Sequence, residues 1–400
     1  MALGIVVLGA TDAGAQVFSS GSTGADGALA PTADVRLAVP PGGVFNFTTV
    51  TIPAGVTVSF ATEAGRQQPP IQFRAAGNVL IGGRIDVSGS AGGPGGNGTQ
   101  LFANGGAAGP GGFDGGTGSN ALVGLSGAAG RGPGGGSPGG PASFPGHAGH
   151  LTAAPGAGGG RAYGDERLVP LLGGSGGGGA AVALFGLTGG GGGGGGGALL
   201  IASSGSLTLN GTITAVGGPG GGVLGGGPPG GSGSGGAVRL VATTITGSGA
   251  VDVSGGPGAA AGRIRIEAFT NTATLSGGVA GGVTVGTPDI LALDVVGLRI
   301  ASVGGVPAPA QPGGAYGTPD IILPAGATSP VTIELEASQI PLGTTITVTA
   351  SPLSGAPVVA LSTPLVGTPA AATATATLAI PATQPSVISA TASFSVAAAP

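Results

Sequence analysis

Hydrophobic positions in this chain recur in short runs that alternate with polar ones, the period-two signature of half-buried strands. Four segments share one layout: a short apolar strand, a small turn, a second alternating strand and a glycine-rich tail. They are 71–93 (IQFRAAGNVLIGGRIDVSGSAGG), 198–221 (ALLIASSGSLTLNGTITAVGGPGG), 237–258 and 263–282, and a fifth, 44–61, precedes them. Each of the four spans 20 to 24 residues, too few to bury its own apolar face. Stacking such units buries one continuous core, which predicts a parallel β-helix solenoid. The predicted inward positions are Val79, Ile81, Ile85 and Val87 in one coil, and Leu207, Leu209 and Ile213 in another. The next coil supplies Val238, Leu240, Ile245, Val251 and Val253.

Past 288 the pattern changes to strict alternation over 331–336, 345–349, 372–380 and 388–396. Turn residues at 341–343 and 351–355, with Pro369, Pro381 and Pro385, bound these runs. About seven short strands in ~110 residues, apolar on one face and polar on the other, predict a small Greek-key β-sandwich of Ig-like type. With no cysteine and no tryptophan, it is not an antibody-type domain.

Between the coils lies a glycine-dominated insertion, 88–197, which ends in nine consecutive glycines, 189–197; a shorter one covers 217–236. Two readings stand open. Glycine-rich chain can be a flexible linker. Alternatively, extended left-handed segments lie side by side and exchange backbone hydrogen bonds, an approach that only glycine allows. Apolar punctuation (Leu101, Phe102, Phe113, Leu122, Val123, Leu125, Leu168, Leu171, Leu184 and Phe185) leans towards partial order. The predicted organisation is therefore 1–15, a truncated signal peptide; 16–87, N-terminal coils; 88–197, the insertion; 198–287, C-terminal coils; and 288–400, the sandwich. The first segment is read from the apolar run 3–10 and the small residues Ala13 and Ala15, although no basic residue precedes Arg36.

Composition narrows the function. The chain has 95 glycines, 33 prolines and 41 % hydrophobic residues, which argues for a folded all-β protein and against a helical one. Without cysteine there is no disulfide scaffold and no thiolate metal site. Eleven basic residues, all arginine, against a net charge of −4 argue against nucleic-acid binding.

The opening 21–60 (GSTGADGALAPTADVRLAVPPGGVFNFTTVTIPAGVTVSF), the coil ALLIASSGSLTLNGTI and the later RIRIEA resemble a group of exported, glycine-rich bacterial proteins of unknown activity. These look like pectin-lyase-type right-handed β-helices with a long glycine-rich excursion, and the likeness covers about 16–285. The tail, with IPLGTTITVTASPLSG, resembles the Ig-like modules that accompany such proteins. The mycobacterial PE-PGRS proteins share only the glycine bias.

A pectin-lyase-like fold invites a search for polysaccharide chemistry. A lyase needs calcium-binding carboxylates and a base, and a hydrolase needs two or three carboxylates about 5–10 Å apart. The solenoid offers Glu63, Asp86, Asp252 and Glu267. Asp86 and Asp252 match in their coils (RIDVSG and AVDVSG), but Thr214 holds the matching place between them. The expectation is solvated, outward residues at strand ends. His147 and His150, in GHAGH, lie in the insertion, with Asp165 and Glu166 as the nearest further ligands. Polygalacturonases carry Gly-His-Gly and Arg-Ile-Lys motifs. Here GHAGH and Arg263-Ile264-Arg265 stand in their place, without the upstream acidic motifs, so the roles are not carried over. The nine-glycine run lacks the Lys-Ser/Thr and helix of a phosphate loop. The threonines at 345, 347 and 349 and at 373, 375 and 377 fit simple strand propensity better than an ice-binding ladder.

The sequence thus predicts no catalytic, cofactor-binding or metal-binding residues and no cofactor. The expectation is a non-catalytic, exported structural or surface protein, secreted or at the cell surface. Its expected partners are its own copies, the cell envelope or glycan; nucleic acid and a transmembrane span are not expected. The alternatives are an adhesin or glycan-binding protein and, behind it, a polysaccharide-active β-helix enzyme. Scarce aromatics, two tyrosines and eleven phenylalanines, weigh against glycan recognition.

Overall fold

The computed structural model describes residues 18–61, 68–96, 103–119, 127–139, 160, 162–181, 188–222, 228–277, 282–288, 297–309, 312, 319–324, 326–327, 329–338, 340–352, 357–369, 371–381 and 384–392. Segment 1–15, Glu63 and both histidines lie outside the described residues. The described chain is all-β apart from one short 3-10 turn, Pro41–Gly43.

The first thirteen strands are β1 (Val35–Leu37), β2 (Val44–Phe47), β3 (Val50–Ile52), β4 (Thr57–Phe60), β5 (Ile71–Ala75), β6 (Val79–Ile81) and β7 (Arg84–Asp86), then β8 (Ala198–Leu209), β9 (Thr212–Thr214), β10 (Ala237–Thr246), β11 (Ala250–Asp252), β12 (Arg263–Asn271) and β13 (Val283–Gly286). They form two sheets in which every pair is parallel. One has the order β1-β4-β7-β9-β11. The other runs β13-β12-β10-β8-β5-β2, with β3 and β6 alongside the second half of β8.

Register converts sequence alternation into columns. Ile71, Leu199, Val238, Ile264 and Val283 stand one above the next, as do Val35, Val58, Ile85, Ile213 and Val251. Apart from Val283, which is exposed on the edge strand, they and the neighbouring columns make one dry core that includes every predicted inward position named above. The 111-residue gap between β7 and β8 leaves this register intact: Ile85 still pairs with Ile213. Four phenylalanines close the core near its N-terminal end. Phe73 meets Phe45 and Phe47 edge-on, at ring separations of 5.3 and 5.2 Å.

The segment before β1 crosses the outside of the second sheet. Phe18 N–H donates to Thr243 Oγ1, Ser20 N–H to Ser204 Oγ, Ser20 Oγ–H to the Ala75 carbonyl and Ser22 Oγ–H to the Phe47 carbonyl. These partners belong to β10, β8, β5 and β2, so one short strap ties four strands. Phe18 packs there on Leu200, Ala202 and Val241, with Leu171 of the insertion beside it.

The described part of the glycine insertion is ordered by its own backbone, which decides between the two readings for these residues. Segment 189–197 runs through the middle of an array of extended segments. Its N–H groups donate in threefold rotation. Gly190, Gly193 and Gly196 bond to Pro228, Gly231 and Ser234, whereas Gly191, Gly194 and Gly197 bond to Gly93, Ser90 and Val87. Gly189, Gly192 and Gly195 bond to Ser119, Gly116 and Phe113. Its carbonyls accept from three further segments, for example from Gly106, Gly177 and Gly218. Three residues per turn, with no bond inside the segment, is the geometry of an extended threefold helix. A strand with six neighbours has no free side, and a Cβ on Gly192, Gly193 or Gly194 would overlap the carbonyls of Gly177, Gly218 or Ala107. Hence nine glycines in a row. On the outer segment, side chains return every third residue, at the exposed Ala91 and Pro94.

The remaining strands are β14 (Gly297–Val303), β15 (Val306–Pro307), β16 (Val331–Ser338), β17 (Ile346–Pro352), β18 (Val358–Leu361), β19 (Val366–Thr368), β20 (Ala371–Leu378) and β21 (Ser386–Ala392). They make two antiparallel sheets, β15-β14-β16-β20-β19 and β18-β17-β21. A second core joins them: Ile333 and Leu335 from β16 and Ala374 and Ala376 from β20 share it with Ile346 and Val348 from β17.

Candidate functional site

The densest polar row on the parallel sheets crosses the outer face of the five-stranded one. Register places Arg36, Ser59, Asp86, Thr214 and Asp252 side by side on β1, β4, β7, β9 and β11. The matched pair foreseen in the sequence therefore sits two strands apart, roughly 9–10 Å at the usual strand spacing, with Thr214 between.

Asp86 is fully engaged. Its Oδ1 accepts from Ser88 N–H at 3.0 Å and from Thr214 Oγ1 at 2.9 Å, and Arg84 Nη2 bonds Oδ2 at 2.8 Å. Partial burial alone raises the carboxyl pKa, but the Ser88 and Thr214 hydrogen bonds and the Arg84 charge outweigh it and hold the group below its ordinary value. Asp252 Oδ1 accepts from the backbone N–H and the hydroxyl of Ser254. Each aspartate thus caps the turn that leads out of its strand, and Asp86 also ties β7 to β9.

A cleft of about 330 Å³ opens beside this row, lined among others by Arg36, Ser59, Asp86, Ser88, Ser90 and Pro110. It lies where strands β1, β4 and β7 meet the start of the glycine array. Its polar groups comprise one cation, one anion and three hydroxyls.

Glu267 corrects the expectation of solvated carboxylates. It is 2 % exposed. Its Oε2 bonds Arg239 at 2.8 Å and its Oε1 bonds Arg265 at 3.0 Å. The sequence shows only that Glu267 lies two residues after Arg265; the register of β10 and β12 is what sets Arg239 beside Arg265. Without the register, nothing on the page of letters paired them. Arg265 also donates to the Val285 carbonyl, which ties β12 to β13. Arg263 is held below its ordinary pKa by burial, against the opposing pull of Glu166 and Asp165. The Asp165 carboxylate accepts from the N–H groups of Arg167 and Val169, and the Glu166 carbonyl accepts from Thr284. Among the described residues no three of His, Asp and Glu come close enough to hold a metal ion. No helix among them is long and apolar enough to cross a membrane.

No protein-family model, no curated protein and no solved structure matches the chain.

Proposed function

We propose that this chain is a non-catalytic structural protein of the bacterial surface or extracellular matrix, exported and able to self-associate. In this reading the parallel-stacked region is a right-handed, pectin-lyase-like β-helix, and the C-terminal region is an Ig-like module. Two observations support the architecture. Aliphatic columns repeat from strand to strand across both parallel sheets. The antiparallel sheets β15-β14-β16-β20-β19 and β18-β17-β21 share one core between them, as the two sheets of an Ig-like sandwich do.

The observation that carries the function is the array around 189–197. It is a body built from main-chain hydrogen bonds, each worth about 0.5–1.5 kcal/mol net, with almost no charge inside. Such a body needs neither ions nor disulfides to hold its shape outside a cell. The carboxylates support the same reading. A general acid needs a raised pKa, whereas Asp86 is shifted the other way and Glu267 is locked between two arginines.

The test is incubation of the full chain with a panel of plant and bacterial polysaccharides, followed for new reducing ends and unsaturated products. None is expected, and turnover of any one sinks the reading. The glycan-binding alternative draws on the polar cleft at Arg36 and Asp86, and a glycan array measures it directly. Against it, Phe18, Phe47, Phe60, Phe73 and Phe113 are all buried and offer no stacking surface.

A further inference from the structure

Strand β18 lies at the end of its sheet among the described residues and pairs only with β17. Its alternate residues part company. Val358 and Ala360 turn to the core, while Val359 and Leu361 stand 59 % and 66 % exposed. Natural sheets blunt such edges with charged side chains, prolines or short strands. Prolines at 357 and 364 and a length of four residues are present here. Charge is not: from 337 to 400 there is no Asp, Glu, Lys or Arg.

We infer that β18 is an interface for a second copy of this chain. The two strands pair antiparallel about a twofold axis at Ala360. That register sets Val359 against the second copy's Leu361, and Leu361 against its Val359. Both exposed apolar side chains of each copy are then covered in one step, and two three-stranded sheets become one of six. A twofold contact is self-complementary, and an edge without charge meets its copy without like-charge repulsion.

Four residues bury far less than the ~1,600 Å² of a standard interface. The dimer is therefore weak in dilute solution and gains effect where many copies are held close together. This deepens the self-association in the function proposed above. It is measured by mass in solution, whereas that function is tested by polysaccharide turnover, so one can fail without the other.

The experiment is sedimentation velocity of the full chain over a wide concentration range, with circular dichroism to confirm folding of each variant. The wild-type chain is expected to shift from monomer to dimer as concentration rises. The double variant Val359→Lys/Leu361→Lys places lysine opposite lysine and should raise the dissociation constant about tenfold or more, the equivalent of about 1.4 kcal/mol. Val359→Glu/Leu361→Lys places each glutamate opposite a lysine and should restore a dimer that salt weakens. Val366→Lys, on β19 of the other sheet, should change nothing. A wild-type chain that stays monomeric throughout, two double variants that behave alike, or a dimer lost with Val366→Lys would each overturn the inference.

Discussion

At Gly193 a single missing methyl group decides whether the array closes. Its would-be Cβ points into the carbonyl of Gly218, which belongs to rigid backbone and cannot rotate away. Gly193→Ala is expected to destabilise the protein by about 1–3 kcal/mol or more, the range for overpacking a dry interior. Gly222→Ala, with nothing within 4 Å of its Cβ, is the matched control. It should be neutral or slightly stabilising, by about 0.4–1 kcal/mol, through reduced freedom of the unfolded chain. Urea titration of the two variants reads the contrast. Asp86 gives a pH signature at the same scale. Its folded pKa lies below the ordinary 3.8, so its contribution is complete above that value and disappears as pH falls through the lower folded one. Asp86→Asn should flatten that part of the acid limb of the stability curve while leaving the neutral-pH fold unchanged by circular dichroism.

Among elements, β10 and β12 depend on one carboxylate. Glu267 lies between Arg239 and Arg265, whose side chains are 12 % and 15 % exposed. Removing the anion leaves two cations side by side with little water to screen them. Glu267→Ala should therefore cost about 3–5 kcal/mol in chemical denaturation, the usual penalty for orphaning a buried charge. The strap over β2, β5, β8 and β10 works through single bonds from buried serine. Ser20 is 0 % exposed, and its hydroxyl serves the Ala75 carbonyl. Strap and carboxylate sit on the outer face of the same sheet, a face that simple alternation assigns to solvent.

For the molecule as a whole, the order of exchange of backbone amides is the informative quantity. The amides of 189–197 are all buried and bonded to three different segments, so none can open without disturbing its neighbours. They are expected to exchange only at the global unfolding limit, along with those of β8 and β10. Amides of Gly190 to Gly197 exchanging as fast as an unfolded peptide would contradict the packed array. Hydrogen exchange read by mass spectrometry over days separates the two outcomes.

Much of this architecture was legible in the letters. Alternation at Val79–Ile81, Leu207–Leu209 and Val238–Leu240 named the inward faces, because side-chain direction in a strand follows from period two alone. The runs around 331–336 and 372–380 showed their buried and exposed faces for the same reason. The equivalence of Asp86, Thr214 and Asp252 was visible because the segments around β7, β9 and β11 repeat the same words. What the letters withheld was adjacency. Glycine runs look the same whether solvated or packed, since glycine carries no side chain to reveal a preferred neighbour. Only the threefold pattern of long-range bonds shows that 189–197 is central. The burial of Glu267 and the strap at Ser20 likewise arise from contacts across great sequence distance, and composition carries no trace of them. Local periodicity determined which residues could form a core; register across the stacked strands decided which of them meet.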